Sequence, residues 1–319
     1  MPTKTEIEKL IQDFLEDLEI AYNRSLRTVT NYNFYLSRFA DWLKENKITK
    51  PQNITQNHIR QYRLWLNRLK SNKKEGLKTN TQNYHLIAVR AWLKYLAKRD
   101  MNTLAPEKID LAKVPIRTVD FLDGSDLERL LEAPLKTNNI GIIKKRDKAI
   151  LETLFCTGLR VSELANLKVD SINLKKDEFT VRGKGDKPRI VFLSNQSKFW
   201  IAEYLNMRKD SNPFLFISHD RASKGRKTIE QTGLTPRSIQ RLVEKYAKAA
   251  GITKKVTPHT MRHSYATDLL MNGADIRSVQ SMLGHASITT TQIYTHITNQ
   301  QLRDIHKAFH GRNRRKKKS

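Results

Sequence analysis

The chain has 319 residues, of which 38% are hydrophobic and 29% are charged, so it is long and apolar enough to form two globular domains. Lys and Arg number 59 against 32 Asp and Glu, and the formal net charge of +27 indicates a polyanionic partner, with nucleic acid ahead of an anionic membrane surface. A basic surface that serves only solubility is the alternative. The single cysteine, Cys156, excludes an intrachain disulfide and a Cys-rich zinc site.

Targeting signals and membrane spans are not expected. The sequence has no run of 18 apolar residues, so we expect no transmembrane helix. The N-terminal stretch "MPTKTEIEKLIQDFLEDL" mixes acidic residues into its apolar positions, which is typical of neither a signal peptide nor a transit peptide. We therefore expect a cytoplasmic protein without a membrane partner.

Residues 1–100 have the apolar periodicity of about four helices. In "TVTNYNFYLSRFADWL" the large apolar positions recur at helical spacing, and they are Tyr32, Tyr35, Leu36, Phe39 and Leu43. Arginines and lysines occupy the polar faces. We expect the aromatic residues of this region to pack in a core rather than to stack on bases.

Between residues 101 and 120 the periodicity stops, and two prolines interrupt the stretch, which predicts an interdomain linker. The segment "FLDGSDLERLLEA" then begins a helix. Ser125 and Glu128 have the spacing of a capping box, which predicts that Ser125 is the N-cap.

The remaining sequence predicts a helical domain with one β-hairpin. Residues of high strand propensity flank "GKGDK", which predicts a hairpin with a glycine-rich tip. Thr235 and Pro236 mark the start of one later helix, and Thr257 and Pro258 mark another, with Gly251 and Gly273 beyond their ends. The chain closes on "GRNRRKKKS", a basic tail expected to be disordered.

Two basic residues at predicted element edges are candidates for phosphate chemistry. Arg160 lies between a glycine turn and a helix start, where its guanidinium could hold a phosphate bidentately. The alternative is a surface salt bridge with Glu163, three residues further along the helix. Lys184 lies at the hairpin tip, from which it could enter a catalytic site or a DNA groove. The alternative there is a solvated turn.

Histidines supply the next candidates. His259 and Arg262 are three residues apart, so they share one face of the predicted helix, and His259 lies in its first turn, where helix amides favour an anion. His263 is four residues from His259, which is also the spacing of a zinc pair, but the metalloprotease motif requires Glu where Thr260 stands. A capped structural histidine is the simpler alternative.

The stretch "LGHASITTTQIYTH" contains His285 and Tyr294. By itself it is compatible with ordinary packing. Taken with the two arginines, the lysine and His259, it fits a phenol that attacks a phosphate. Arginines spread the charge of the pentacoordinate phosphate, a histidine moves a proton near neutral pH, and cationic neighbours favour the phenolate form of the tyrosine. Such a site needs no metal ion.

These motifs together resemble the tyrosine recombinase (phage integrase) family, and most closely its Xer-type members. The matching segments are "TGLRVSELANL", "VRGKGDKPRIVFL", "HTMRHSYATDLLMNGADIRSVQSMLGH" and "TTQIYTH", and the resemblance covers nearly the whole chain. It implies that the catalytic residues are Arg160, Lys184, His259, Arg262, His285 and Tyr294, with Glu163 in support. Met261 stands where the family usually has Leu, a swap that conserves volume. The resemblance implies no cofactor and no metal.

The resemblance also implies a mainly α fold with a small β-sheet. Residues 1–100 are then a helical, SAM-like core-DNA-binding domain, 101–120 a linker, 121–310 the catalytic domain and 311–319 a basic tail. The two domains are expected to form a C-shaped clamp on double-stranded DNA. Tyr294 is expected to form a 3′-phosphotyrosyl intermediate that leads to a Holliday junction.

Partners follow from the same resemblance. They are a dif-like or attachment site in double-stranded DNA, a homo- or hetero-tetramer on two sites, and possible roles for a Xer paralogue and a DNA translocase.

Three alternatives stay open at this point: an integrase or excisionase of a mobile element, a type IB topoisomerase, and a DNA-binding relative without activity. The β-branched run before Tyr294 favours helix only weakly, so we expect this segment to be less ordered or differently docked without DNA.

Overall fold

The computed structural model describes residues 5–69, 76–114, 120–183, 187–219 and 232–284. The chain divides into two compact units, residues 1–116 and residues 117–319. Within the described residues there are eleven α-helices and one two-stranded antiparallel sheet, so the predicted mainly α fold with a small sheet is confirmed.

Four helices build the first unit. They are α1 (Glu6–Ile20), α2 (Leu26–Glu45), α3 (Gln56–Arg68) and α4 (Thr79–Ala97). Each helix has an apolar face along its length, and in three of the four the N-cap residue has a hydroxyl side chain. Thr5 and Thr55 close capping boxes, and Ser25 accepts a hydrogen bond from the backbone N–H of Thr28.

Aromatic side chains fill the core of this unit. Trp92, Tyr62 and Phe39 are fully buried, as the apolar periodicity predicts. Tyr22, Phe34 and Tyr84 are exceptions, with exposures of 46%, 53% and 55%. The core therefore uses most of the aromatic residues, and some remain on the surface.

The first part of the predicted linker packs on the first unit. Ile109 is buried in its core. The Asn83 side chain donates to the carbonyl of Ala112 at 2.8 Å and accepts from the backbone N–H of Ala112 at 3.1 Å. The division between the units falls at residue 116, inside the stretch 101–120, so residues up to 114 belong structurally with the helices before them.

The second unit begins at residue 117. Its helices are α5 (Gly124–Glu132), α6 (Gly141–Thr157), α7 (Val161–Ala165), α8 (Asn195–Met207), α9 (Pro236–Ala249), α10 (Pro258–Met271) and α11 (Ile276–Leu283). Helix α6 is central and packs against α8 and α10. Its residues Ala149, Ile150, Leu151 and Leu154 are fully buried.

One predicted cap is wrong. Helix α5 begins at Gly124, and the N-cap is Asp123, whose carboxylate accepts from the backbone N–H of Asp126 at 2.8 Å. Ser125 lies inside the first turn and donates to Asp123 instead. Both residue types cap helices well, and the choice of Asp123 starts the helix two residues earlier. The predicted starts at Pro236 and Pro258 are confirmed.

The predicted hairpin is confirmed. Strand β1 (Glu178–Arg182) pairs with β2 (Pro188–Phe192), and the register sets Thr180 opposite Ile190. Phe179, Val181 and Val191 face the core, as a half-buried sheet requires. Residues 184–186 at the tip lie outside the described part of the chain.

Two glycines end the helices that border the candidate site. Gly158 caps α6 and Gly284 caps α11, with φ of 57° and 62° in the left-handed region. A Cβ at Gly158 would lie 2.5 Å from the Tyr265 ring, and a Cβ at Gly284 would lie 2.9 Å from Cδ of Arg189. Both positions therefore require glycine for conformation and for space.

Among the described residues, every helix is too short or too polar to cross a bilayer.

A glycine series tests the role of Gly158 in the fold. Gly251 also has a positive φ but nothing within 4 Å of its missing Cβ. Gly251→Ala should therefore lower the free energy of unfolding by about 1–2 kcal/mol through backbone strain alone. Gly158→Ala should cost about 1–3 kcal/mol more, because the new methyl group overlaps Tyr265. Urea unfolding of both variants measures the difference, and equal losses would contradict the steric role.

Candidate active site

Arg160 sits where two elements meet. It is the N-cap of α7, two residues after Gly158 ends α6. Its Nη1 donates to Glu163 Oε1 at 2.8 Å, and its Nη2 donates to the carbonyl oxygen of Gly284 at 3.1 Å. The salt bridge that the sequence offered as an alternative is therefore present. The side chain is only 26% exposed, so this pair is partly buried rather than a surface bridge.

Arg262 is the more deeply buried of the two predicted arginines, at 5% exposure. It projects from α10, and its guanidinium donates from Nη1 to the carbonyl of Gly158 and from Nη2 to the carbonyl of Leu283, both at 2.5 Å. These two bonds use two of the five N–H donors of the guanidinium. Arg262 thus ties the end of α6 to the end of α11.

The two arginines hold the same two segments of main chain. Arg262 binds the carbonyls of residues 158 and 283, while Arg160 follows the first segment and binds residue 284 of the second. Motifs more than 100 residues apart in sequence are thereby joined at one place. Residue 285 is the next residue after that second segment.

Glu163 is the carboxylate of the site, and its side chain is 7% exposed. Burial raises its pKa, but the hydrogen bonds and charge of Arg189 and the backbone N–H of Arg160 outweigh burial and bring the pKa to about 2. Glu163 is therefore ionised throughout the physiological range. Its role cannot include donating a proton there.

Arg189 is a site residue that the sequence analysis did not single out. It donates to both carboxylate oxygens of Glu163, at 2.8 and 2.6 Å. The strand pattern could have identified it, because Arg189 is two residues from the buried Val191 on β2 and so lies on the same, core-facing side of the strand. An arginine on the core-facing side of a strand requires a partner of opposite charge.

His259 lies at the second position of α10, on the same helix as Arg262. The residue is exposed to solvent, yet desolvation by the surrounding protein and the positive charges of Arg262 and Arg160 lower its pKa below the usual value. It is therefore neutral at pH 7 and can accept a proton. Arg160, His259 and Arg262 are thus brought together, with Glu163 beside them.

The other predicted residues, Lys184, His285 and Tyr294, lie outside the described residues. The residue before Lys184 is described, and a Cβ built on Gly183 would lie 3.7 Å from Arg160 Nη1. Gly284, which precedes His285, binds Arg160 directly. The last described residues before Lys184 and before His285, which are Gly183 and Gly284, therefore both lie near the guanidinium of Arg160.

The described part of the site suits an anion. Arg160 and Arg189 bind the single carboxylate of Glu163, Arg262 binds backbone carbonyls beside them, and partial burial strengthens the electrostatic effect of these groups. In the ranges that the structure covers, no three His, Cys, Asp or Glu side chains group as metal ligands. The described site is therefore a concentration of positive charge that favours the binding of an anion such as a phosphate group.

Comparison with known proteins identifies the class. Residues 120–301 match the phage integrase family, and residues 11–100 match its N-terminal SAM-like domain. The chain is 34% identical to the tyrosine recombinase XerD of Listeria innocua, over 95% of this chain and 99% of that protein. It is 35% identical to XerD of Chlorobaculum tepidum, over 98% of this chain and 100% of that protein.

Two solved structures are also similar. The XerA recombinase shares 32% identity over 95% of this chain and 98% of its own, with a TM-score of 0.50. The site-specific recombinase XerH, bound to a palindromic difH substrate in a post-cleavage complex, has a TM-score of 0.69 over 96% of this chain and 90% of its own. XerH is 21% identical, so this likeness concerns the fold alone.

The chain belongs to the phage integrase family. It is a site-specific tyrosine recombinase, a DNA strand-exchange enzyme that uses neither ATP nor a metal ion.

The titration of His263 gives a test of the packing behind the site. Desolvation, His259 and Arg262 lower the pKa of His263 to about 4. An unfolded chain takes up this proton below about pH 6.5, whereas the folded protein does so only near pH 4. His263 should therefore reduce stability progressively as pH falls from 6.5 to 4.

The measurement is urea unfolding of wild type and His263→Gln at several pH values. The variant should lose less stability than wild type between pH 6.5 and 4, with a slope smaller by up to one proton. Parallel curves for the two proteins would show that His263 is not held neutral by the fold.

Proposed function

We propose that this enzyme recombines DNA at a dif-like site and resolves chromosome dimers. The support is the near full-length similarity to XerD proteins at 34–35% identity. On this proposal its substrate is double-stranded DNA, and two recombination sites are held by four protomers. We include a Xer paralogue and a DNA translocase as partners in this proposal, and we place the enzyme in the cytoplasm.

The domain roles in the proposal follow the expected division. Residues 1–100 grip the DNA as the core-binding domain, and 101–120 connect them to the catalytic domain, 121–310. The basic tail, 311–319, contributes non-specific phosphate contacts. The excess of Lys and Arg over Asp and Glu supports a DNA-binding role for both units.

The observation that carries the catalytic proposal is the joint anchoring of Arg160 and Arg262. Arg262 binds carbonyls at the ends of both α6 and α11, and Arg160 binds the carbonyl of Gly284 at the end of α11. A fixed guanidinium needs no reorganisation when charge develops on a phosphate, and this preorganisation is the main source of electrostatic catalysis. We assign both arginines to the non-bridging oxygens of the scissile phosphate.

The chemical step is a transesterification. The Tyr294 oxygen forms a bond to phosphorus while the bond from phosphorus to the 5′-oxygen breaks. The phenol proton leaves toward His259, which is neutral at pH 7, and Lys184 donates a proton to the departing 5′-oxygen. His285 assists the arginines at the phosphate. The 3′-phosphotyrosyl bond conserves the energy of the broken bond, so the partner strand's 5′-hydroxyl can reverse the reaction and exchange strands.

The nucleophile is tested with Tyr294→Phe. This variant should bind a dif-like duplex as wild type does but form no covalent complex on a nicked suicide substrate, because it lacks the attacking oxygen. Denaturing gel electrophoresis detects the covalent complex, and a gel shift measures binding. Tyr246→Phe serves as a control, since Tyr246 is a buried tyrosine on α9 that binds Asp147.

A covalent complex formed by Tyr294→Phe would refute the assignment of the nucleophile. Relaxation of supercoiled plasmid that lacks any dif-like site, without partner exchange, would instead support a topoisomerase.

Wild-type cleavage should continue at the same rate in a metal chelator.

A further inference from the structure

Arg189 is not one of the proposed phosphate contacts, but it lies next to them and can therefore affect the reaction. It stands on β2 opposite Val181, and its side chain is 8% exposed. Both terminal nitrogens bind Glu163, one to each carboxylate oxygen, at 2.8 and 2.6 Å. This is the bidentate geometry that only arginine provides.

Glu163 is shared between two arginines. Its Oε1 accepts from Nη1 of Arg160 and from Nη1 of Arg189, each at 2.8 Å. Its Oε2 accepts from the backbone N–H of Arg160 at 2.8 Å and from Nη2 of Arg189. Arg160 therefore contributes only one side-chain N–H to the carboxylate, and Arg189 contributes two.

This division decides how much of the positive charge of Arg160 is left uncompensated by Glu163. A buried carboxylate attracts the nearest cation strongly, because the surrounding protein screens the charge poorly. With Arg189 in place, Glu163 is already paired bidentately. Without Arg189, Arg160 would be the remaining described cation on Glu163, and its guanidinium would turn toward the carboxylate and away from a phosphate.

Arg189 also touches the segments that lead to two other predicted site residues. A Cβ at Gly284 would lie 2.9 Å from Arg189 Cδ, and a Cβ at Gly183 would lie 3.3 Å from Arg189 Nη1. Its Nε is buried and has no hydrogen-bond partner among the described residues. Burying an unsatisfied N–H costs free energy, so stability alone is a poor reason for an arginine at this position.

We infer that Arg189 is a positioning residue for strand cleavage, which pairs with Glu163 so that the guanidinium of Arg160 stays oriented toward the scissile phosphate and is not fully paired with the carboxylate. This inference rests on the proposed function. Arg189 itself makes no contact with the reacting atoms. Its effect passes through Glu163 to Arg160.

The test compares Arg189→Gln with Arg129→Gln in the full-length enzyme. Arg129 also pairs with a carboxylate, Asp126, but on the exposed surface of α5, and it is the matched control. At saturating nicked dif-like DNA, Arg189→Gln should form the covalent complex about 100-fold more slowly than wild type, the scale expected for a misplaced catalytic group. Its affinity for DNA should match that of Arg129→Gln.

A double variant separates positioning from simple structural damage. If Arg189 acts by occupying Glu163, then Glu163→Gln added to Arg189→Gln removes the carboxylate that captures Arg160. The double variant should therefore cleave at least as fast as Arg189→Gln alone. Cleavage reduced by the product of the two single effects would overturn the inference, as would Arg189→Gln cleaving as fast as Arg129→Gln.

Folding is monitored by thermal unfolding of each variant. Should Arg189→Gln fail to fold, Arg189→Lys replaces it, because lysine keeps the charge but loses the bidentate fork. Arg189→Lys should cleave more slowly than wild type, and wild-type speed would overturn the inference. A wild-type enzyme that forms no covalent complex on this DNA would instead overturn the proposed function, and this inference with it.

Discussion

The buried charge of Arg262 is the constraint on which the site depends. An arginine cannot lose its proton in a protein, so a buried guanidinium must be compensated by hydrogen-bond acceptors. The guanidinium donates to the carbonyls of Gly158 and Leu283, at the C-terminal ends of α6 and α11, where the helix dipoles are negative. Compensating this one charge fixes the two helix ends against α10, and the remaining site residues are positioned relative to those ends.

Glycine makes this arrangement possible at both helix ends. Gly158 and Gly284 turn the chain into the left-handed region immediately after α6 and α11, so each segment can change direction within one residue. Their missing side chains also leave room for the Tyr265 ring and the stem of Arg189. Gly158 and Gly284 thus permit the turns after α6 and α11, the packing of neighbouring side chains against these turns, and the close approach of Arg160 and Arg262 to the backbone carbonyls there.

The charges of the described site do not balance, and the imbalance has a chemical use. Arg160 and Arg189 share a single carboxylate, Glu163, and Arg262 binds only neutral carbonyls among the bonds described above, while the lowered pKa keeps His259 neutral at pH 7. Concentrated positive charge disfavours folding unless it is offset by other interactions, and it favours binding of an anion. A site optimised for stability alone would pair these charges more completely. The surplus matches the needs of an enzyme that stabilises a pentacoordinate phosphate.

Much of this protein was determined by the sequence alone. Apolar periodicity predicted the four helices of the first unit, residues of high strand propensity around "GKGDK" predicted the hairpin, and Thr-Pro pairs located the starts of α9 and α10. These signals are local, because they depend on neighbours within one or two turns of the chain. The order of the motifs likewise identified the family. The Ser125 cap failed because Asp123 competes for the same role, and sequence does not rank two good caps.

Tertiary structure decided what local signals could not. Arg160 had two interpretations from sequence, a phosphate ligand or a partner of Glu163, and the structure shows that the salt bridge coexists with a bond to Gly284, 124 residues away. The role of Arg189 could not be predicted from the sequence, because it depends on a contact with Glu163, which lies on a different element. Contacts between distant segments follow from how the helices pack, and a linear pattern cannot specify them in advance.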